Sequence, residues 1–380
     1  MARLLMLIVL ILAGKVSNMK VEYINCPPIP PRAGMDKQFG LAGPVSGADG
    51  NFVMVAGGAN FEGNPPWKGG IKIYHDDIFL LSQKADGSLS WSMSETKLPF
   101  PLAYSACVTL KDGFVSLGGE NSGGPLKAAF RLTFNRGVVK IDRLPDLPEE
   151  LSAAGATLAG NRIFVAGGLN KTGESRAFYA LSLVAQNDGW KRLPDLPVKL
   201  SHIVCVMQND GKGEAIYVIG GRNKTGELST IFSSVYKFSL SDQKWTIEGD
   251  IRINNEVLRT SAGTGMAFGR DKILLFSGDR GILFNQSEKF NLDIAGETDA
   301  AKKDLLIKKK IEFLENHPGF SNQILTYNVL SKSWSCLGDI PGKAPVTTVA
   351  FSWKGKIVIP SGEIRPGVRT DRVVIFSVKE

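Results

Sequence analysis

The chain has 380 residues, 43% hydrophobic and 22% charged, with 42 glycines and 19 prolines. This composition is typical of a globular protein rich in turns and excludes a disordered or fibrous chain. The formal net charge of +8 favours an acidic partner or substrate. Because no long basic block is interleaved with aromatic residues, nucleic acid is not an expected partner.

The N-terminal segment MARLLMLIVLILAGKVSN has one Arg, followed by an unbroken apolar run from Leu4 to Ala13. This run is too short to span a bilayer comfortably and has the form of a secretory signal. We therefore predict a signal peptide over residues 1–19, cleaved between Ala13 and Lys20. The mature protein would be periplasmic or secreted, with no stable membrane insertion. A buried first strand is the alternative interpretation.

An apolar β-run that ends in a small-residue doublet recurs along the chain. The six copies are FVMVAGGAN at 52–60, FVSLGGEN at 114–121, IFVAGGLN at 163–170, IYVIGGRN at 216–223, ILLFSGDR at 273–280 and IVIPSGEI at 357–364. Most are followed by a second β-run with an aromatic residue, and then by a turn and a Trp. This order predicts a four-stranded antiparallel blade. The pattern resembles the kelch repeat and predicts an all-β fold, a six-bladed kelch-type β-propeller.

The two ends of the chain are predicted to complete one blade together. The last copy is followed by a single strand, RVVIFSV at 372–378, and lacks its Trp strand. The segment VEYINCPPIPPRAG at 21–34 looks like that missing fourth strand with its Pro-rich turn. We expect residues 20–26 to pair with the C-terminal blade and remove an exposed sheet edge. Residues 20–380 would then form one propeller domain.

The segment between Asn285 and Ser321 departs from the repeat. It distributes apolar residues among charges and ends in His317-Pro318-Gly319. This is a helix start and stop pattern, so we predict a short helical insert in the fifth blade. A surface helix packed on the rim is one interpretation, and a lid or a homodimer contact is the other.

Metal and thiol chemistry have little support in the sequence. The chain has three histidines and four widely separated cysteines, without a Cys-x-x-Cys or His-Glu-x-x-His motif. Cys107 and Cys205 lie inside apolar runs, where a lone Cys usually acts as a small buried hydrophobic residue. We expect no metal and no cofactor, and the shortage of histidines argues against a copper oxidase. Carboxylates, guanidiniums and hydroxyls must carry any chemistry.

Loops at one end of a propeller axis converge, so residues that follow the doublets of different blades can meet there. These residues are Asn60, Glu120, Asn170, Arg222, Asp279 and Glu363. In SGEIRPGVRTD, at 361–371, Pro366-Gly367 favours a tight turn that brings Glu363 and Arg369 to one pocket. A surface hairpin with a solvated ion pair is the alternative. His202 points either into this funnel or into the core.

The segments GEIRPGVRTD at 362–371 and VAGGANFEG at 55–63 resemble the bacterial N-acetylneuraminate epimerase (sialic acid mutarotase) family, which has a GE-x-x-PG-x-RT motif on a kelch-type propeller. The resemblance extends over nearly the whole mature chain, including the helical insert. The best-known members have the motif in mid-chain, whereas here it lies near the C-terminus. The sequence thus resembles a cyclically permuted branch, in which only the point of ring closure has moved.

The resemblance implies interconversion of the α and β anomers of free N-acetylneuraminate, with Glu363 as the acid/base and Arg369 as a site residue. Mutarotation removes a proton from the anomeric hydroxyl and delivers one to the ring oxygen, and one carboxylate can carry both. An Arg fork suits the carboxylate of the substrate. Weaker candidates for substrate binding are Asn60, Glu120, Arg222 and His202. Arg365 is left out of the catalytic set because alternation in the hairpin turns it away from Glu363.

Two other functions are compatible with a propeller. A non-catalytic kelch module would bind a protein or a glycan, and it would not need the Glu363/Arg369 pair. A sialidase-like glycosidase would need an arginine triad, a Tyr nucleophile and Asp-box turns. The segment ADGSLSW at 85–91 is at best a fragment of such a turn.

Overall fold

The computed structural model describes residues 19–135 and 137–379. The predicted signal peptide lies, apart from residue 19, outside the described residues. Six four-stranded antiparallel sheets follow one another along this part of the chain and surround a common axis. The prediction of an all-β, six-bladed propeller is therefore confirmed. No helix in the described ranges is long and apolar enough to cross a membrane.

Each blade has four strands, numbered here from the axis outward. Blade 1 consists of Val45–Asp49, Phe52–Ala56, Ile78–Gln83 and Leu89–Met93; blade 2 of Ala106–Thr109, Phe114–Leu117, Ala129–Asn135 and Val138–Arg143; blade 3 of Gly155–Ala159, Arg162–Ala166, Phe178–Ser182 and Lys191–Arg192; blade 4 of Val204–Asn209, Glu214–Ile219, Ser234–Ser239 and Lys244–Asp250; blade 5 of Thr264–Phe268, Lys272–Phe276, Gln323–Asn328 and Ser333–Asp339; and blade 6 of Phe351–Trp353, Lys356–Pro360, Val373–Lys379 and Lys20–Ile24.

The connection from the second to the third strand of five blades carries a small hairpin directly after the doublet. The hairpins pair Ala59–Phe61 with Lys72–Tyr74, Glu120–Asn121 with Gly124–Pro125, Leu169–Asn170 with Gly173–Glu174, Arg222–Asn223 with Thr230–Ile231, and Glu363–Arg365 with Val368–Arg369. In blade 5 two helices, α1 (Ile282–Gly296) and α2 (Ala300–Glu315), take this place. A further hairpin, Arg252–Ile253 with Glu256–Val257, follows blade 4, and short 3₁₀ helices lie at Pro66–Lys68 and Gln186–Asp188.

The N-terminal strand supplies the outer edge of blade 6. Lys20–Ile24 runs antiparallel to Val373–Lys379, with Ile24 opposite Ile375. The ring of Tyr23 lies 5.5 Å from that of Phe376, and its hydroxyl donates to the backbone carbonyl of Asp339 in blade 5, at 2.8 Å. The ring of blades is thus closed by hydrogen bonds and packing between the two ends of the chain.

The core consists of six apolar clusters, each between two neighbouring blades. The Trp of the repeat fastens the outer edge of three of these interfaces. The indole N–H of Trp91, Trp190 and Trp245 donates to the carbonyl of Pro27, Pro145 and Pro194, respectively, in the Pro-rich turn after the preceding blade, at 2.8 to 2.9 Å. The spacing of Trp and Leu-Pro in the sequence therefore reflects contacts between blades.

A closed ring of backbone hydrogen bonds surrounds the axis. Its six members are Gly43, Tyr104, Ala153, His202, Ala262 and Thr347, one from the entry to each blade. Each N–H donates to the carbonyl of the preceding member, at 2.7 to 2.9 Å, and Gly43 donates to Thr347. All six have φ between 48° and 60°, a region that five non-glycine residues adopt at a cost of about 1 kcal/mol each. We call this set the axial ring.

Candidate functional site

A cavity of about 320 Å³ lies on the hairpin side of the axial ring, and we call it the funnel. Five ring members contribute to it, all except Gly43. The remaining lining residues are Lys72, Glu120, Leu169, Arg222, Asp279, Phe284, Phe320, Val346, Glu363 and Pro366. A second cavity of about 120 Å³ is lined by the ring and the inner strands, and its lining includes no Asp, Glu, Lys or Arg of the residues that the structure describes. The funnel is thus the cavity on the axis that offers charged groups to a polar ligand.

Six structurally equivalent positions surround the funnel. The residue directly after each doublet forms a backbone bridge to the residue that precedes the axial ring member, and these positions are Ala59, Glu120, Leu169, Arg222, Asp279 and Glu363. Asn60 lies one residue further on, so strand alternation turns it to the opposite face. Its amide donates to the Gly40 carbonyl at 3.0 Å, its Oδ1 lies 2.9 Å from His75, and it is 1% exposed. The expectation that Asn60 lines the funnel is therefore corrected.

Glu363 and Arg369 are opposite one another in the hairpin of blade 6. Gly367, at φ +74°, completes the Pro-Gly turn and donates its N–H to Glu363 Oε1 at 2.7 Å. Glu363 Oε1 lies 3.6 Å from Arg369 Nη1, and the two side chains are 16% and 5% exposed. This is a largely buried pair, which differs from the solvated surface ion pair of the alternative interpretation.

Arg369 lies behind Glu363 and is not among the residues that line the funnel. Its guanidinium carbon is 4.7 Å from the centre of the Phe61 ring, and its Nε and Nη1 atoms are buried without a hydrogen-bond partner in the described part of the chain. At this position the guanidinium of Arg369 contacts the Glu363 carboxylate and no ligand in the funnel. Contact with a ligand in the funnel would require Arg369 to move.

Arg365 points away from Glu363, although regular strand alternation would place two residues at this spacing on the same face. The register of the hairpin shifts between Glu363 and Arg365, and this irregularity turns the Arg365 side chain away. Its Nη1 donates to the carbonyl of Glu315 at the end of α2, at 2.5 Å. The Glu315 carboxylate also pairs with Lys68 at 2.5 Å. Arg365 and Lys68 therefore hold the C-terminal end of the second helix against the loops of blades 6 and 1.

Arg222 enters the funnel from blade 4. Its guanidinium stacks 4.6 Å from the ring centre of Phe284, and its Nη2 lies 3.1 Å from His202 Nε2. Because a guanidinium has only donors, His202 Nε2 accepts, and Nδ1 carries the proton that faces Ser201 Oγ at 3.0 Å. Burial, and then the charge of Arg222, hold the pKa of His202 well below 6.5.

Arg222 has no carboxylate within 4.0 Å in the described ranges, whereas Lys72 and Glu120 are already paired. Lys72 Nζ lies 2.8 Å from Glu120 Oε1, and the Tyr74 hydroxyl donates to the same oxygen at 2.7 Å. The ammonium of Lys72 also lies 4.5 Å from the centre of the Tyr104 ring. Arg222 is therefore the cation of the funnel wall that is open to an anionic ligand.

Asp279 is a further acidic residue of the funnel. It follows a doublet in the sequence, but it was not among the predicted catalytic or substrate-binding residues. It is 9% exposed, and its Oδ1 accepts the N–H of Gly281 at 2.7 Å. Burial raises the pKa of Asp279, and Glu363 raises it further, while the Gly281 N–H and Arg222 oppose this shift. Its place directly after the fifth doublet was the signal in the sequence.

The helical insert contributes two aromatic walls to the funnel. Phe284 comes from α1 and Phe320 from the segment after α2. The insert is anchored to blade 4 by Glu288, which accepts from the backbone and hydroxyl of Ser229 at 2.6 and 2.9 Å. The insert thus lies beside the funnel, and nothing in its sequence marked these two aromatic residues as part of the cavity lining.

No group of three His, Cys, Asp or Glu residues is placed to hold a metal ion in the ranges that the structure describes. The charged groups of the funnel are two carboxylates, the Lys72–Glu120 pair and one guanidinium. Such a set can bind an anion and move protons. It can therefore support acid/base chemistry on a polar, negatively charged small molecule.

A family model described as N-acetylneuraminate epimerase matches residues 144–380. Among curated proteins named N-acetylneuraminate epimerase, that of Haemophilus influenzae (strain PittEE) is 29% identical over 231 residues, 60% of this chain and 57% of that protein. The Salmonella typhi protein is 26% identical, covering 60% and 56%, and the Pasteurella multocida protein 25% identical, covering 62% and 58%. The chain thus spans a little over half the length of these relatives.

Proposed function

Because the chain belongs to the N-acetylneuraminate epimerase family, we propose that it interconverts the α and β anomers of free N-acetylneuraminate. The observation that supports this most directly is the position of Glu363. Its carboxylate lines a cavity that fits a small ligand, and it is oriented by the Gly367 N–H and by Arg369. The same cavity presents the guanidinium of Arg222 to an anionic substrate.

In this proposal Glu363 is the acid/base. Its carboxylate removes the proton of the anomeric hydroxyl while the ring oxygen is protonated, and the ring opens to a ketone. Closure of the ring on the other face of the ketone gives the second anomer. No oxidant, reductant or cofactor is consumed, because the bond that breaks is formed again.

Arg222 pairs with the carboxylate of the substrate. It lines the funnel and is held in place by His202 and Phe284, and no carboxylate of residues 19–135 or 137–379 lies within 4.0 Å of it. Arg369, which the sequence suggested for this role, instead positions Glu363 from behind. A planar guanidinium offers a carboxylate two parallel hydrogen bonds.

The other groups that line the funnel suit the rest of a sialic acid molecule. Phe284, Phe320 and Leu169 give the funnel an apolar part of its lining, which suits the methyl of an N-acetyl group. The Lys72–Glu120 pair offers both a donor and an acceptor to sugar hydroxyls. His202, neutral and bonded to Arg222, supports substrate binding through that residue.

We further propose that the protein acts after export, with residues 1–19 as its signal and the periplasm or cell exterior as its location. The support is the apolar run from Leu4 to Ala13 behind a single Arg. Cell fractionation and N-terminal sequencing of the mature protein test this. Intact residues 1–19 on protein recovered from the cytoplasm would contradict it.

The function is tested by proton NMR of freshly released α-N-acetylneuraminate, following the C3 protons of both anomers. The purified protein should accelerate appearance of the β anomer, and Glu363→Gln should abolish the acceleration while leaving the fold intact. Glu256→Gln, at an exposed hairpin position, is the matched control and should keep full activity. No acceleration by the folded wild type would refute the proposal. Binding of the sugar without acceleration would instead support a non-catalytic module.

A further inference from the structure

Asp279 and Glu363 occupy the same structural position in neighbouring blades. Asp279 bridges Ser261 in blade 5, and Glu363 bridges Val346 in blade 6, so each follows its Ser-Gly doublet directly. Both line the funnel, and the charge of Glu363 acts on Asp279. The fold therefore presents two carboxyl groups from adjacent directions to one ligand site.

The surroundings of the two carboxyl groups differ. Glu363 accepts an N–H from Gly367 and lies 3.6 Å from the guanidinium of Arg369. Asp279 is 9% exposed, accepts one N–H on Oδ1 and has no ion pair within 4.0 Å in the described ranges. Burial raises the pKa of Asp279, which favours its protonated form. The protonated form suits Asp279 to the role of an acid, and the carboxylate of Glu363, oriented by Gly367 and Arg369, suits the role of a base.

We propose that Asp279 is a second catalytic residue, which delivers the proton to the ring oxygen while Glu363 removes the proton from the anomeric hydroxyl. This inference rests on the proposed mutarotase function. It assigns the two proton transfers to two groups, where the sequence suggested that a single carboxylate carries both.

The proton balance closes over one turnover. In ring opening, the bond between the anomeric carbon and the ring oxygen breaks, Asp279 loses its proton to that oxygen, and Glu363 gains the hydroxyl proton. In closure, the ring oxygen attacks the other face of the ketone and returns its proton to Asp279. Glu363 then gives its proton to the new anomeric hydroxyl. Both residues return to their starting forms without a co-reactant.

Asp279→Asn tests this assignment. The amide oxygen keeps the bond from the Gly281 N–H, but the side chain cannot donate a proton that is regained in the same turnover. We expect kcat to fall by about 100-fold or more, with KM changed less than about threefold. Asp304→Asn, on the exposed face of α2, is the matched control and should match the wild type.

The pH profile separates catalysis from structure. The charged groups that act on Asp279 are Glu363 and Arg222, and the Gly281 N–H bonds to it. Loss of the Asp279 proton should give an alkaline decline in wild-type kcat, after subtraction of the uncatalysed rate. This decline should be absent from the residual activity of Asp279→Asn. The wild-type profile alone tests the proposal if the variant does not fold.

The outcomes also distinguish the two proposals. A folded wild type with no mutarotase activity refutes the function and, with it, this inference. An active wild type together with a fully active Asp279→Asn refutes only the role of Asp279. An unchanged alkaline decline in a slow Asp279→Asn variant would also overturn the role, since the titrating group would then lie elsewhere.

Discussion

Replacement of Arg222 by Lys tests the origin of substrate affinity. Arg222 is stacked on Phe284 and bonded to His202, which together aim its planar fork into the funnel. Lys keeps the positive charge but has neither the second parallel donor nor the flat surface that stacks on the ring. We expect weaker binding of N-acetylneuraminate with little change in the stability of the fold.

The magnitude follows from the number of bonds lost. A bidentate guanidinium makes two hydrogen bonds to a carboxylate, and Lys keeps one of them. A hydrogen bond to a charged group contributes about 1.5–3 kcal/mol, so Kd should rise by about 10- to 150-fold. The ammonium of Lys cannot stack on Phe284 and is therefore positioned less firmly than the guanidinium. We thus expect the increase in Kd to lie in the upper part of this range.

The assay is a calorimetric titration with N-acetylneuraminate in a Glu363→Gln background, so that catalysis does not complicate binding. Arg369→Lys in the same background is the matched control. Because Arg369 is 5% exposed and does not line the funnel, its replacement should change Kd by less than about threefold.

Equal affinity of the Arg222→Lys and parent proteins would show that Arg222 does not hold the carboxylate. A larger loss of affinity in Arg369→Lys than in Arg222→Lys would return the carboxylate fork to Arg369. It would also mean that the hairpin of blade 6 opens when substrate binds.

Two further predictions concern the fold. Tyr23→Phe should lower the free energy of unfolding in urea by about 1 kcal/mol, because it removes the hydrogen bond to Asp339. Tyr23→Ala should lower it by about 1–3 kcal/mol, because Ala also removes the packing on Phe376. Equal stability of all three proteins would show that the N-terminal strand does not stabilise the closed ring. Burial raises the pKa of Cys26 and Cys205 to about 12 and of Cys107 to about 11. At pH 8 a thiol reagent should therefore modify exposed Cys336 within minutes and the others only after unfolding, and rapid reaction of a second thiol would contradict this.

The number and content of the blades were predictable from the sequence because each blade repeats the same local requirements. A doublet such as Gly57-Gly58 is needed where a Cβ on Gly57 would lie 2.3 Å from the Leu102 carbonyl oxygen. The Trp and Leu-Pro signals recur in part because they bond to one another across three of the six interfaces between blades. The cyclic permutation of the family order stays a prediction from the position of the motif.

The site was predictable only in part. The Pro-Gly turn is a local feature, so the approach of Glu363 to Arg369 could be read from eleven residues. Asn60 was placed wrongly because a shift of one residue along a strand reverses the face of the side chain, and the repeat alone did not fix that register.

The sequence by itself determined the repeat, the strand order within a blade, the helical insert and the turn that carries Glu363, because these depend on neighbours along the chain. Only the tertiary structure decided which side chains share the funnel. Arg222, Asp279 and Glu363 belong to three different blades and meet because six blades converge on one axis. The burial of Arg369 behind Glu363, on which the proposed difference between Arg369 and Arg222 rests, likewise depends on packing between blades 6 and 1.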